Sequence, residues 1–187
     1  MRLLSCLFAL VVGLSATLSS PAARAEPITD PENTLVMLLK TGRVVIALRP
    51  DLAPHTVMRV KQLVRQGFYD GTPFHRVIDG FMAQGGDPTG SGLGGSGFKL
   101  QAEFSAEPHV RGTVSMARAS GFDSADSQFF IVLADSPKLN GKYTVFAKVI
   151  DGMDNVDEIK KGDEAKDGRV TAPDRIIWMK VASDVKE

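Results

Sequence analysis

The stretch Phe74-His75-Arg76-Val77-Ile78-Asp79-Gly80-Phe81-Met82-Ala83-Gln84-Gly85-Gly86-Asp87 sets an arginine and a glutamine among apolar residues. A guanidinium is permanently charged and offers a planar fork of donors. Beside Phe81 and Met82, Arg76 therefore marks a binding surface. Alternation of this kind is how a β-strand sends one row of side chains into a core and the other into a groove. His75 alternates with Arg76, points away from it, and reads as a hydrogen-bonded histidine of the core.

Other chemistries lack their parts. The loop 87–97 formally contains Gly90-x-Gly92-x-x-Gly95, but a phosphate cradle needs a helix N-terminus after it, and Phe98 to Glu107 is poorly helical and runs into Pro108. The loop instead reads as the flexible rim of a groove. A hydrolase triad would need an assembled nucleophile, base and orienter. His55, His75 and His109 are scattered, and no Gly-x-Ser-x-Gly elbow occurs. No His, Cys or carboxylate spacing matches a metal-ligand set, so neither metal nor cofactor is expected.

Gly112-Thr113-Val114-Ser115-Met116-Ala117-Arg118-Ala119 and Asp126-Ser127-Gln128-Phe129-Phe130-Ile131 combine small residues or an amide with bulky apolar ones. A strand does this when its backbone lies against an extended ligand. Phe129 and Phe130 must face opposite sides, so one belongs to the core and the other can line a groove.

The elements that must position these residues follow from periodicity. Thr34 to Lys40 and Arg43 to Leu48 are β-branched, apolar runs separated by Thr41-Gly42, a hairpin. From Ala53-Pro54, Val57, Val60, Leu63 and Val64 recur on one helical face, with Gly67 as the stop. Phe98 to Phe104 suggests a short strand, and Thr113 to Ala117, Gln128 to Leu133 and Val145 to Ile150 suggest three more. Met153 to Lys160 is a second helix burying Met153, Val156 and Ile159, and Arg175 to Val181 is a last strand in which Trp178 fills the interior or its cap. Many short strands with two helices and no internal repeat point to one mainly β domain, a closed barrel.

The 187 residues, 43% hydrophobic and 24% charged, suffice for one core. The start stands apart. Arg2 precedes the apolar run Leu3 to Leu18, and Ala23-Arg24-Ala25 supplies a small-residue cleavage site, the pattern of a secretory signal over residues 1–25. Residues 26–33 then form a loose mature N-terminus and residues 34–187 the domain. Cleavage removes Cys6, the single cysteine, leaving neither thiol nor disulfide. It also removes Arg2 and Arg24, so that taking two from 22 basic residues leaves 20 against 22 acidic ones, a net charge of −2. That balance argues against nucleic acid as a partner. A plain signal and a cysteine-free mature chain suit the periplasm, with no stable membrane insertion after cleavage.

Phe74-His75-Arg76, Phe81-Met82-Ala83-Gln84-Gly85-Gly86-Asp87, Ser115-Met116-Ala117 and Ser127-Gln128-Phe129-Phe130-Ile131, in this order, resemble the cyclophilins, the cyclosporin-type peptidyl-prolyl cis/trans isomerases. The resemblance runs from the hairpin at Leu35 to Val181. It implies a closed eight-stranded antiparallel β-barrel capped by two α-helices, with the substrate groove on its outer face. It also implies Arg76 as the catalytic arginine and Phe81, Met82, Phe130 and Leu139 as the proline pocket. Gln84, Ala117, Arg118, Ala119 and Gln128 would hold the peptide, with Gly92 on the neighbouring rim. The implied partners are proline-containing peptides and folding exported proteins, met by a monomer.

The chain departs from the family pattern in places. Arg118 stands where many relatives have asparagine, which leaves its backbone role intact. In the segment Asp135 to Tyr143, Lys138 and Tyr143 replace the tryptophan and histidine of eukaryotic cyclophilins. Tyr143 keeps an aromatic wall. Lys138 cannot supply the indole that grips cyclosporin, so weak inhibition by that drug is expected. The rival to an enzyme is a holdase that binds proline peptides in the same groove without useful turnover.

Overall fold

The computed structural model describes residues 28–185; the expected signal over residues 1–25 lies outside them. The elements run β1 (Thr34–Leu39), β2 (Gly42–Leu48), α1 (Pro54–Arg65), β3 (Arg76–Ile78) and β4 (Met82–Gly85). They continue with β5 (Thr113–Met116), β6 (Phe129–Val132), β7 (Val145–Asp151), α2 (Met153–Asp157) and β8 (Trp178–Val181). The strands form one antiparallel sheet in the order β3-β4-β6-β5-β7-β2-β1-β8.

That sheet is a half-barrel, open between β3 and β8, where the sequence suggests closure. The reason is where the outer edge of β3 spends its hydrogen bonds. Val77 donates to the Gly168 carbonyl at 2.8 Å, and the Val77 carbonyl accepts from Gly162 at 2.9 Å, so the 162–170 loop takes the place of a neighbouring strand. The gap is spanned just outside the strands, where Pro73 bridges Arg175 and Phe74 donates to Asp174 at 2.9 Å.

Helix α1 closes one end of the sheet. Thr56, Val57, Val60, Leu63 and Val64 form its buried face, and Gly67, with φ +68, ends it in the left-handed conformation. Its start has no local cap. The orphan amides of His55 and Thr56 donate to the two Glu103 carboxylate oxygens at 3.0 and 2.8 Å, and the Thr56 hydroxyl adds a bond of 2.6 Å. This use of residues 98–104 explains why they are not the expected strand: beyond the Leu100–Ala125 bridge, Ala102 and Glu103 donate to side chains of Asp123 and Thr144.

Before β1, Asp30 accepts from Asn33, and Glu32 pairs with Lys61 and Arg65 of α1. The last strand is shorter than expected, and its parity differs. Met179 and Val181 enter the core, while Trp178 is half-buried outside it beneath the Lys180 ammonium. Helix α2 also stops early, although Met153, Val156 and Ile159 all reach the core.

Candidate active site

The stretch from Phe74 to Asp87 is two strands turned on Asp79-Gly80-Phe81, with Gly80 at φ +61. The register opposes Arg76 to Gln84, Val77 to Ala83 and Ile78 to Met82. Opposed residues share a face, so Val77 and Ala83 go into the barrel core while Arg76, Gln84, Ile78 and Met82 face outward. Strand β6 continues this surface, with Phe130 opposite Gln84 and Val132 opposite Met82. Phe129 lies in the main core, against Tyr69 and Phe74, and Phe130 lies on the outer face.

A small apolar cluster separate from the barrel core results. Met82, Phe130, Val132 and Leu139 are buried, with Phe81, Ala117 and Tyr143 packed beside them. Arg76, Gln84 and Arg118 complete the wall of a cavity of about 190 Å³. The floor is braced from below by a residue that sequence reasoning passed over. His109 stacks under Phe130 at 6.1 Å, and its ring nitrogens meet Ser115 Oγ at 3.0 Å and Asn140 Oδ1 at 3.1 Å. Burial pushes the His109 pKa down, which favours a neutral ring.

Arg76 is held from both sides. Its Nε donates to the Asp167 carbonyl at 3.0 Å and to Oδ2 at 3.1 Å, and Nη2 donates to Oδ1 at 2.8 Å. Nη1 donates to Gln84 Oε1 at 3.3 Å. Gln84 Nε2 then donates to Gln128 Oε1 at 2.9 Å, and Gln128 Nε2 to the carbonyls of Gly92 and Gly94 at 3.0 and 2.9 Å. The relay fixes both amide orientations. Arg76 Nη1 also donates to the Met82 sulfur at 3.7 Å, so one Nη2 hydrogen is left with no partner among the described residues. Asp167 was not legible in advance; it sits at φ +54 after a single helical turn at Glu164–Lys166. The Arg76 hydrogen bond holds its carboxyl below the usual carboxylate range.

The glycine loop is a pinned rim. Asp87, fully buried, accepts from the Thr89 amide and hydroxyl at 2.8 Å each and from the Gly92 and Gly94 amides at 2.7 and 3.1 Å. Burial alone would raise this carboxyl, but these bonds outweigh it and hold the pKa at about 2. A Cβ on Gly94 would stand 2.1 Å from Asp87 Oδ1, so only glycine lets the loop wrap so closely. Asp126 pins the far end through Ser96.

Some expected binding residues stand at the margin. The Ala117 amide donates to the Gln128 carbonyl at 2.9 Å, and Ala119 is exposed outside the cavity. Arg118 lies over Phe122 and Tyr143 at 5.1 and 5.0 Å and donates to the Lys142 carbonyl. Lys138 caps Phe81, its Nζ 4.0 Å from the ring centroid. His75 differs from expectation: it is buried, but both ring nitrogens lack a hydrogen-bond partner among the described residues. Among those residues no cluster of three or more His, Cys, Asp or Glu could hold a metal.

The family model for cyclophilin type peptidyl-prolyl cis-trans isomerase/CLD matches residues 34–181. A probable peptidyl-prolyl cis-trans isomerase of Brucella suis is 50% identical over 190 residues, covering 95% of this chain and 97% of its own. Peptidyl-prolyl cis-trans isomerase B of Bacillus subtilis is 46% identical over 136 residues, covering 71% and 94%. A Cryptosporidium parvum cyclophilin type isomerase, crystallised in the presence of the dipeptide Ala-Pro, superposes with a TM-score of 0.72 at 31% identity over 79% of this chain and 98% of that one. With the family model matching from β1 to β8 and the Brucella relative covering 95% of its length, the chain belongs to the cyclophilin-type peptidyl-prolyl cis-trans isomerases.

Proposed function

We propose that this isomerase rotates X-Pro bonds of exported proteins in the periplasm, with Arg76 donating a hydrogen bond to the prolyl nitrogen. The observation that carries the reading is the clamped guanidinium, whose Nη1 lies against Met82 and Gln84 in the wall of a cavity that Phe81, Phe130 and Leu139 also line. The X-Pro amide resists rotation because the nitrogen lone pair is delocalised, giving a barrier of ~18–20 kcal/mol. A donor aimed at that nitrogen stabilises the twisted, pyramidal state more than the planar one. No bond breaks, so neither nucleophile nor cofactor is required.

Phe81, Met82, Phe130 and Leu139 would clamp the ring and exclude water, strengthening the Arg76 hydrogen bond. Gln84 and the backbone from Ala117 would hold one flank while the other turns. The dipeptide present with the Cryptosporidium relative supports proline peptides as ligands. The apolar run and small-residue site within residues 1–25 support export.

The test is exchange NMR on a proline tetrapeptide with wild type and Arg76→Ala. Turnover by the wild type that falls steeply in a folded variant supports the mechanism. Undiminished turnover in the variant overturns it, and binding without turnover by the wild type would favour the holdase. A mature N-terminus at Glu26 in the periplasmic fraction is the expected result for export.

A further inference from the structure

A second cavity, of about 230 Å³, adjoins the first on the far side of Arg76. His75, Gly92, Lys166 and Arg169 line it together with Arg76 and Asp167. His75 is 6% exposed, and neither ring nitrogen has a partner among the described residues. Buried polar groups are ordinarily satisfied, and both nitrogens are shut off from solvent, so the imidazole is a polar floor beneath the rim. Gly92 lies against the ring, the place of a Cβ there being 3.6 Å from Nε2, so the rim covers the imidazole.

The charge around this cavity selects the group. Asp167 commits its carboxylate to Arg76, and Asp163 meets Lys166 at 3.5 Å and accepts from the Ala165 amide. Asp87 is committed to the loop amides. Arg169, exposed at the mouth, has no ion pair or side-chain hydrogen bond among the described residues. The cavity thus offers the unpaired guanidinium of Arg169 with a second cation, Lys166, beside it, and its carboxylates are already engaged. Neither an apolar nor a cationic side chain would satisfy that set.

We propose that this cavity is a specificity subsite that takes the carboxylate of an Asp or Glu flanking the proline of the client chain, received by Arg169. The proposal rests on the isomerase reading of the adjoining groove. It gives Arg169 a function outside catalysis, because Arg169 does not line the cavity that would hold the ring.

The test uses proline peptides that differ only in Glu, Gln or Lys at each of the two positions on either side of proline. Exchange NMR is the readout, because a coupled protease has preferences of its own. At one position Glu should exceed Gln by about threefold in kcat/KM, with Lys below Gln and the difference shrinking at high salt. Arg169→Gln should bring the Glu-to-Gln ratio to about one and leave the Gln peptide unchanged. Equal rates for Glu and Gln at every position in the wild type, or the same preference in Arg169→Gln, would overturn the subsite. A wild type that turns over none of these peptides would fail the isomerase reading itself, and the subsite with it.

Discussion

Asp167 grips Arg76 through both carboxylate oxygens and its own carbonyl, across 91 residues of chain. The pair is anchored on a loop that also replaces the missing strand beside β3. The half-open sheet and the aim of the guanidinium thus have one cause.

Removing the clamp should cost rate and spare the fold. Arg76→Ala should lower kcat/KM by about 10²–10³-fold, the scale for a transition-state donor. Arg76→Lys should rescue poorly, because an ammonium lacks the planar fork. Asp167→Ala should lose about tenfold, mainly in kcat, and Asp167→Asn less. Since Asp167 is exposed, melting temperatures should stay within about 2 °C of wild type. A large fall in melting temperature with normal activity per folded molecule would refute the assignment.

The activity profile should be flat from about pH 6 to 9. Arginine stays protonated throughout that range. Burial depresses the His75 and His109 pKa values, favouring neutral rings there, and Asp167 is held ionised by Arg76. A bell-shaped profile of kcat/KM would point to a titrating group in the reaction and against this mechanism.

Stability, in contrast, should fall in acid. Asp87 has a folded pKa of about 2, below the ordinary value of 3.8, so its contribution is complete above the unfolded pKa and is lost as pH falls towards the folded one. Asp87→Asn should flatten the acid limb of a melting curve between about pH 4 and 2. An unchanged limb would show that other carboxylates govern it.

Glu103→Ala should uncouple α1 from the 98–104 segment. Loss of a helix cap costs about 1–2 kcal/mol, and at this size the melting temperature should drop by about 2–6 °C. Glu103→Gln, which can still accept from the amides, should recover part of it. Equal loss in both would place the effect in charge and not in capping.

Lys138 is seated over Phe81, at the position where the resemblance to eukaryotic cyclophilins implies the tryptophan that grips cyclosporin. Weak inhibition with intact turnover is the expected result, with Lys138→Trp tightening binding in a calorimetric titration. Nanomolar inhibition of the wild type, worth ~12 kcal/mol, would sink this expectation.

What the sequence by itself determined was the local pattern. A period of 3.6 from Pro54 to Val64 marked the helix, and alternation marked the β1–β2 hairpin and the outward row of Arg76 and Gln84. The adjacent Phe129 and Phe130 had to part, and they do, since neighbouring strand residues face opposite sides.

Tertiary structure alone decided the rest. Which phenylalanine faces the groove follows from strand register, set by pairing with β4 and β5; the family resemblance named Phe130, but alternation by itself does not choose between the two. Whether the sheet closes depends on who occupies the edge of β3, and whether residues 98–104 form a strand depends on their being drawn to α1, Asp123 and Thr144. His109 and Asp167 showed no periodic signal, because each acts through partners distant in the chain. Periodicity reports how a residue sits relative to its own element; hydrogen-bond partners between elements are fixed only when the elements pack.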